Sequence, residues 1–448
     1  MIEPKVLTEA LVEHLPKQRW FGGDESDAAQ LEVLSLEELR TEMPAMLHAL
    51  VRVPSHGGTS TYQVIIGIRP AESRDQFLEG KGDLILGEFP TDDGPVVAYD
   101  AAIDPELALC LLERTAPEES AERARMLGAD QSNTSIVFDE RLIMKLFRRV
   151  DEGPNPDVEV TGALARVGFG AVPKPVGQWE GGGGHLAVVS EFLMGGVDGF
   201  HLALTSLRDL YDARVAPQDA GGDFGPDAYR LGAITAEMHA ALAEAFGTSP
   251  ADTRSWADDM VVQLERTSAE GLDAKAVREV YETLPAVDAG PAIRAHGDFH
   301  LGQVMRTDAG WHVLDFEGEP ARPLDERRRP SAALRDVAGM LRSFHYAAAV
   351  GLREYGGDAD DEVLALAAAW ERHNREQFLL GYHSAEGVDA VLPSADRDRD
   401  LVLAAFELDK AVYEIAYEAS HRPEWVGIPL SAVQRILEET AREQRTPK

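Results

Sequence analysis

Cysteine is almost missing from this sequence: Cys110 stands alone among 448 residues. An intramolecular disulfide is thereby excluded, and a thiolate-built metal site nearly so. No run approaches the roughly 20 apolar residues that cross a bilayer, so no membrane partner is expected. The opening MIEPKVLTEALVEHLPKQRW lacks a basic segment followed by an apolar one, which leaves no signal peptide to read and makes the cytoplasm the expected location. Basic side chains are scarce: 43 Lys and Arg face 78 Asp and Glu, a net charge of −35. Such a surface repels polyphosphate backbones and excludes nucleic acid as an expected partner. Any phosphate site must then be compensated locally by Lys, Arg or a metal ion. Internal repeats and zinc-type histidine spacing are absent as well. Nothing here fixes the oligomeric state, with a monomer the simpler expectation.

What is present suffices for a large interior. Apolar residues make up 44% of the chain, and the length is too great for one ordinary core, so two or three subdomains are expected. Residues 6–20 show helical spacing and end near a Trp-Phe-Gly-Gly turn. LEVLSL, HALVRV, STYQVIIGI and VVAYD read as strands, and ELALCLLERT as a helix. QSNTSIVFDERLIMKLFRRV reads as a polar turn, a strand, a tight turn at Asp139-Glu140 and a second strand. A helix over NPDVEVTGALARVG and a buried strand in HLAVVSEFL follow, with Gly-rich runs at 181–184 and 195–197 as a hairpin loop and a hinge. Beyond about residue 200 helical periodicity dominates, interrupted by two strand-like runs, GQVMRT and WHVLDF, around Asp308-Ala309-Gly310.

That interruption carries the chemistry. His296-Gly297-Asp298-Phe299-His300-Leu301-Gly302-Gln303 reads as a catalytic loop. Asp298 is placed to accept a proton from an attacking hydroxyl. Gln303 offers an amide oxygen to a hard cation, and Asp315, after the second strand, can chelate the same ion. Phosphoryl transfer needs this combination because the transferred group carries dense negative charge. Ordinary turn and cap roles would explain a lone Asp or His. They explain less well two carboxylates, an amide and two histidines at the ends of one short hairpin, since unpaired buried carboxylates are costly. Lys145, inside the apolar strand RLIMKLF, must pair with something. Nucleotide phosphates are one candidate and Glu159 on the next helix another; a lysine deterring edge pairing is the bland alternative. The turn holding Ser132, Asn133, Thr134 and Ser135 would cover nucleotide phosphates, or be a plain β-turn. Glu191 to Leu193, in SEFLMGG, would be a hinge whose backbone binds adenine.

The segments HGDFHLGQ, VLDFEGEPARPLDER and LRDVAGMLRSFHYAA, with KQRWFGG, QSNTSIVF and ELDKAVYEIAYEASHRPEWVGIPL, closely resemble maltokinases and their actinobacterial relatives. The resemblance runs in order along nearly the whole chain. It implies an α+β, bilobal protein-kinase-like fold of the aminoglycoside phosphotransferase type with an N-terminal cap. Residues 1–100 would be the cap, 101–195 an intermediate subdomain completing the nucleotide-binding lobe, and 196–448 a helical lobe with the catalytic loop and sugar site. The implied activity is sugar phosphorylation dependent on ATP and Mg²⁺. Asp298 would be the base and Gln303 and Asp315 metal ligands, with Glu317 assisting. Lys145 would hold phosphates with Glu159 as its partner. His296, also counted in the catalytic loop, would hold that loop by hydrogen bonds.

The acceptor is expected between the catalytic loop and the C-terminal helices. Candidates on the loop and the first following helix are His300, Asp336, Arg342, His345 and Tyr346. Further along are Glu407, Asp409, Lys410, Tyr413 and Glu414, then Tyr417, Arg422, Trp425 and Gln434. Some of these are expected to serve structure: Asp336 as a helix cap, Arg342 on a solvated face, Trp425 as a core plug. The sequence departs from the maltokinase pattern at His345, where aspartate is common, and at Ser420 and His421. Carboxylates at Glu407, Asp409 and Glu414 would suit an ammonium group. The expected acceptor is therefore an amino sugar such as glucosamine, phosphorylated on its primary hydroxyl to glucosamine 6-phosphate. Maltose, giving maltose 1-phosphate, is the alternative. A sugar- or nucleotide-binding pseudokinase is disfavoured by the presence of Lys145, Asp298 and Asp315. A metal-dependent hydrolase using His296, Asp298 and His300 is disfavoured by the missing histidines.

Overall fold

A computed structural model of the chain describes residues 2–55, 58–73, 78–128, 133–319, 322–356 and 359–445. The chain divides into two units, Met1–Glu159 with Pro173–Met194, and Val160–Val172 with Gly195–Lys448. Among the described residues no helix is long and apolar enough to cross a membrane.

The first unit is α+β. Helix α1 (Pro4–His14) stops earlier than its periodicity suggests, passing into a 3-10 turn at Leu15–Lys17; Pro16 cannot supply an N–H to continue the ladder. A short helix α2 (Glu25–Ala28) is closed by a capping box in which Asp24 and Asp27 satisfy each other's backbone. Strands β1 (Glu32–Arg40), β2 (Ala45–Ser55), β3 (Gly58–Pro70), β4 (Ile85–Phe89) and β5 (Val96–Asp100) form one antiparallel sheet in the order β1-β2-β3-β5-β4. The run VIIGI is apolar at consecutive positions because both sheet faces are covered. Ile65 joins one core with Met46 and Leu50, whereas Val64, Ile66 and Ile68 join another with Leu47 and Val51.

Helix α3 (Pro105–Thr115), capped by Asp104, packs its leucines into the first of these cores. A second antiparallel sheet follows: β6 (Ala124–Met126), β7 (Asn133–Phe138), β8 (Leu142–Phe147), β10 (Pro175–Gly181) and β11 (Gly184–Glu191), in the order β10-β11-β8-β7-β6. The expected tight turn between β7 and β8 is present, with φ of +50° and +53° at Asp139 and Glu140. Strand β9 (Arg149–Val150) leaves this region and pairs with β3. Buried Gln63 fastens the two sheets by donating to the carbonyls of Phe147 and Leu186, both at 2.5 Å. Residues on both sides of position 100 thus belong to one unit.

Helix α4 (Pro156–Arg166) begins in the first unit, and its residues from Val160 on belong to the second. The second unit is mainly helical: α5 (Gly199–Ala213), α6 (Gly225–Phe246), α7 (Thr253–Arg266), α8 (Ala274–Tyr281), α9 (Leu324–Arg327), α10 (Leu334–Tyr355), α11 (Asp361–Ser384), α12 (Asp396–His421) and α13 (Gly427–Arg445). Helices α6 and α11 touch backbone to backbone. A Cβ on Gly232 would lie 2.0 Å from the Phe378 carbonyl oxygen, and one on Gly381 only 1.9 Å from that of Tyr229. Small strands interrupt the helices: β12 (Val197–Asp198), β13 (Ser249–Pro250), β14 (Pro291–Ala292), β15 (Val304–Thr307) and β16 (Gly310–Val313). β12, β15 and β16 form one sheet, and β13 pairs with β14. The expected hairpin is therefore present, with Thr307 opposite Gly310 across the turn.

Candidate active site

Within the second unit the loop from Ile293 to Gln303 joins β14 to β15, and its shape is fixed from beneath. Asp336, in the first turn of α10, accepts the His296 N–H at 2.8 Å and the Gly297 N–H at 2.9 Å. Its carboxylate is also 3.1 Å from His239 Nε2, and His239 Nδ1 is 2.8 Å from the Tyr382 hydroxyl. Burial alone would push the Asp336 carboxyl up; His239 and the Gly297 N–H outweigh it and hold the group below the usual range. Gly297 has φ +87°, left-handed backbone that a side chain would strain. His296 is buried between the rings of Phe299 and Phe316, and its Nε2 donates to the Leu314 carbonyl at 2.9 Å. This histidine holds the loop. Asp336, weighed both as an acceptor contact and as a structural group, spends its oxygens on the backbone of His296 and Gly297 and on His239.

Asp298 then stands beside an ion-pair chain. Lys410 Nζ donates to Asp298 Oδ1 and to Glu319 Oε1, both at 2.9 Å. Glu319 also receives Arg322 at 2.5 Å and Arg335 at 3.3 Å. Burial would raise the Glu319 carboxyl, but Lys410, Arg335 and Arg322 together hold it well below the carboxylate range. Asp409 Oδ1 accepts from Gln263 at 2.8 Å; burial pushes its carboxyl up to about 6 against the pull of Arg322. His300 Nε2 lies 3.9 Å from Asp298 Oδ2, while its Nδ1 accepts the Gly302 N–H. A cavity of ~20 Å³ is bordered by Asp298, Glu319, Arg335, Asp409 and Lys410. A larger one of ~240 Å³, lined by Trp256, Arg322, Arg335, Phe406 and Asp409 among others, lies alongside.

The turn after β16 brings two of the three expected cation ligands, Gln303 and Asp315, into contact. Gln303 Nε2 is 3.2 Å from Asp315 Oδ2. Asp315 holds φ +63°, an uncommon conformation for a residue other than glycine that re-aims its carboxylate. Glu317 follows, its carbonyl held by Arg327 at 3.0 Å. An amide oxygen and two carboxylates are hard donors, which fits Mg²⁺.

The acceptor candidates on α10 to α13 fare differently. Glu407 is buried and takes a two-pronged contact from Arg375, at 3.0 and 2.9 Å. Glu414 is held by buried Arg342 at 2.6 Å, and His345 by Glu371 at 2.9 Å. Tyr346 donates to Glu418, which Arg422 also grips. Arg342 therefore lies in the interior and not on a solvated face. Of the three carboxylates expected to suit an ammonium group, Glu407 and Glu414 are taken by arginines, whereas Asp409, which accepts from Gln263, borders both cavities. More exposed groups remain. Tyr417 stacks on His421 at 4.3 Å and faces Tyr413 at 6.4 Å; Arg422 lies 4.6 Å over Trp425, which stacks on Tyr346; Gln434 is exposed.

In the first unit, Lys145 sits mid-strand on β8 with Nζ 3.1 Å from Asp157 Oδ2. Asp157 was not anticipated; it shares the first turn of α4 with Glu159, and Asn155 caps that turn. An acid just after the Asn-Pro start was the available signal. The polar turn expected at Ser132–Ser135 is different. Ser132 lies outside the described residues, whereas Asn133, Thr134 and Ser135 lie inside β7 with buried side chains. Ser135 faces Lys145 across the ladder, and the Thr134 hydroxyl accepts from Arg148 at 2.8 Å. Pairing with Phe147, Leu146 and Lys145 of β8 carries the strand back through these polar residues. Glu191 ends β11 opposite Leu142, and Leu193 lies beyond the ladder.

Residues 123–318 match the phosphotransferase enzyme family, and residues 14–104 match the maltokinase N-terminal cap domain. A glucosamine kinase of Streptacidiphilus jiangxiensis is 33% identical over 334 residues, 70% of this chain and 74% of the relative. One of Mycolicibacterium smegmatis is 30% identical over 72% of this chain and 81% of the relative. A solved glucosamine kinase superposes with a TM-score of 0.69 at 25% identity, covering 96% of this chain and 98% of the other. Another, in complex with glucosamine, ADP and inorganic phosphate, gives 0.65 at 25% identity, over 96% and 99% of the two chains. The chain belongs to the family of these glucosamine kinases, with the phosphotransferase enzyme family domain over residues 123–318 and the maltokinase N-terminal cap domain over residues 14–104. Its fold is the α+β fold of the aminoglycoside phosphotransferase type.

Proposed function

We propose that this protein is an ATP-dependent sugar kinase that transfers the γ-phosphoryl group to the primary hydroxyl of glucosamine, giving glucosamine 6-phosphate. The observation that carries the reading is Asp298 at the head of a rigidly held loop, with Gln303 and Asp315 in mutual contact at the ends of the following hairpin. The similarity to glucosamine kinases along most of the chain supports the acceptor.

In this reading Asp298 accepts a hydrogen bond from the acceptor hydroxyl and takes its proton as the phosphoryl group arrives. Bound Mg²⁺ would supply charge neutralisation on the phosphates. Gln303, Asp315 and Glu317 would hold it. Lys145, oriented by Asp157 with Glu159 in the same helical turn, would bind nucleotide phosphates, and the backbone of Glu191 to Leu193 would bind adenine. His300, Asp409, Tyr413, Tyr417, Arg422 and Trp425 remain the acceptor contacts of choice, offering polar groups and ring faces. Residues 1–100 would act as a cap, 101–195 as the nucleotide-binding part and 196–448 as the acceptor lobe, in a cytoplasmic enzyme. The maltokinase-type cap favours one second reading, maltose phosphorylated to maltose 1-phosphate.

The test is ADP release with Mg²⁺ and ATP across glucosamine, glucose, N-acetylglucosamine, maltose and aminoglycosides. Glucosamine should give the highest kcat/KM. Activity on maltose with glucosamine inert would replace the first acceptor by the second, and no ADP release with any sugar would sink the kinase reading.

A further inference from the structure

Asp298 is not free to turn. Its Oδ1 accepts from Lys410 Nζ at 2.9 Å, and the same ammonium reaches Glu319 Oε1 at 2.9 Å. Glu319, 4% exposed, is itself pinned by Arg322 at 2.5 Å and Arg335 at 3.3 Å. A lysine side chain left alone has large rotamer freedom. Here its far end is fixed between two carboxylates, and the Tyr413 ring lies 5.0 Å from Nζ. Two of the three ammonium donors are thereby used within the protein. The ~20 Å³ cavity bordered by Asp298, Glu319 and Lys410 has room for about one water-sized group, such as a hydroxyl.

We propose that Lys410, anchored by Glu319, is a positioning residue: it fixes one oxygen of Asp298 and so leaves Oδ2 as the one that meets the acceptor hydroxyl. This rests on the reading of Asp298 as the proton acceptor. Lys410 was expected to touch the sugar, but its ammonium is already divided between the two carboxylates. Glu319 carries no role in the sequence reading, and its contribution is to keep Lys410 in place. A carboxylate that swings by an ångström loses the near-attack geometry on which such transfer depends, and the loss falls on kcat.

The experiment compares Lys410→Met, Lys410→Arg, Glu319→Gln and the double variant Lys410→Met/Glu319→Gln with Asp298→Asn, in the full chain with ATP, Mg²⁺ and glucosamine. Lys410→Met should lower kcat about a hundredfold, with KM for ATP and glucosamine within about threefold, beyond whatever drop in melting temperature follows from unpairing two carboxylates. Lys410→Arg should recover at least about tenfold of that loss, since a guanidinium can also bridge two carboxylates. Glu319→Gln should lose less than Lys410→Met, and the double variant no more than Lys410→Met alone. A normal kcat in Lys410→Met, or a loss seen only as raised KM for glucosamine, overturns the proposal. So does an equal loss in both Lys410 variants that tracks a lowered melting temperature. Full turnover in Asp298→Asn removes the underlying reading instead, which keeps the two failures apart.

Discussion

The carboxylate of Asp336 receives the backbone N–H of Gly297 at 2.9 Å, across 39 positions of sequence. Oδ2 of the same carboxylate takes the His296 N–H, so one buried side chain sets the backbone that carries Asp298. Asp336→Asn places an amide donor against two backbone donors and His239. The expected cost is about 3–5 kcal/mol, since one partner of a buried hydrogen-bonded charge is lost. Thermal unfolding should show a clear drop, and any folded fraction should transfer phosphate slowly with nearly normal nucleotide affinity.

Arg148 and Asp100 form a buried pair in the first unit, Nη2 to Oδ2 at 2.6 Å, with Thr134 accepting from Nε. Arg148→Met leaves Asp100 unpaired in the interior, and the first unit should lose about 3–5 kcal/mol. Adding Asp100→Leu should restore part of it, because two apolar groups replace an ion pair at smaller cost than one orphaned charge. Melting temperatures of the single and double variants check this; a double variant less stable than Arg148→Met contradicts it.

Acid should weaken the first unit well above the pH at which most carboxylates titrate. Burial lowers both His14 and His48 to about 4. Their folded values lie below the unfolded 6.5, so the unfolded chain binds protons more tightly and stability is lost as pH falls from about 6.5 towards 4. Each site contributes on the order of 2–3 kcal/mol to that slope. His14→Phe should flatten the pH dependence of the melting temperature in this window. An unchanged slope would show that His14 does not titrate there.

Lys145 and Asp157 are joined at 3.1 Å, and the lysine is the cation proposed for nucleotide phosphates. Lys145→Met should raise KM for ATP roughly ten- to a hundredfold, the worth of one charge-assisted hydrogen bond. Asp157→Asn should raise it less. KM for glucosamine at saturating ATP should move little, and a change confined to the sugar would refute the assignment. Initial rates over a matrix of both substrates measure it.

Much of this molecule is written locally. The helices α6, α11 and α12 announce themselves by apolar spacing, because one face of each meets the core. The hairpin around Asp308 and Ala309 is fixed by short-range turn chemistry, and its register brings Gln303 beside Asp315. The two residues are twelve apart, so their meeting needed no knowledge of the rest of the chain. The β7–β8 turn was legible for the same reason, although the polar residues before Ile136 proved to be strand. There the sequence signal for a turn gave way to pairing with β8, which satisfies the backbone of Asn133 to Ser135.

The amino-acid order alone placed the hairpin around Asp308 and the loop that carries Asp298, because each depends on residues close together in the chain, whereas the fold class followed from the resemblance of segments spread along the whole sequence. Tertiary structure decided who partners whom. In the sequence Glu414 is as free to read a ligand as any carboxylate, but the packing of α10 on α12 gives it to Arg342; Glu407 goes to Arg375 on α11. Lys410 reaches Asp298 over 112 positions and Glu319 over 91. A carboxylate in a sequence carries no mark of which cation it will meet, since that is fixed only when helices distant along the chain pack together and desolvation forces every buried charge to find its opposite.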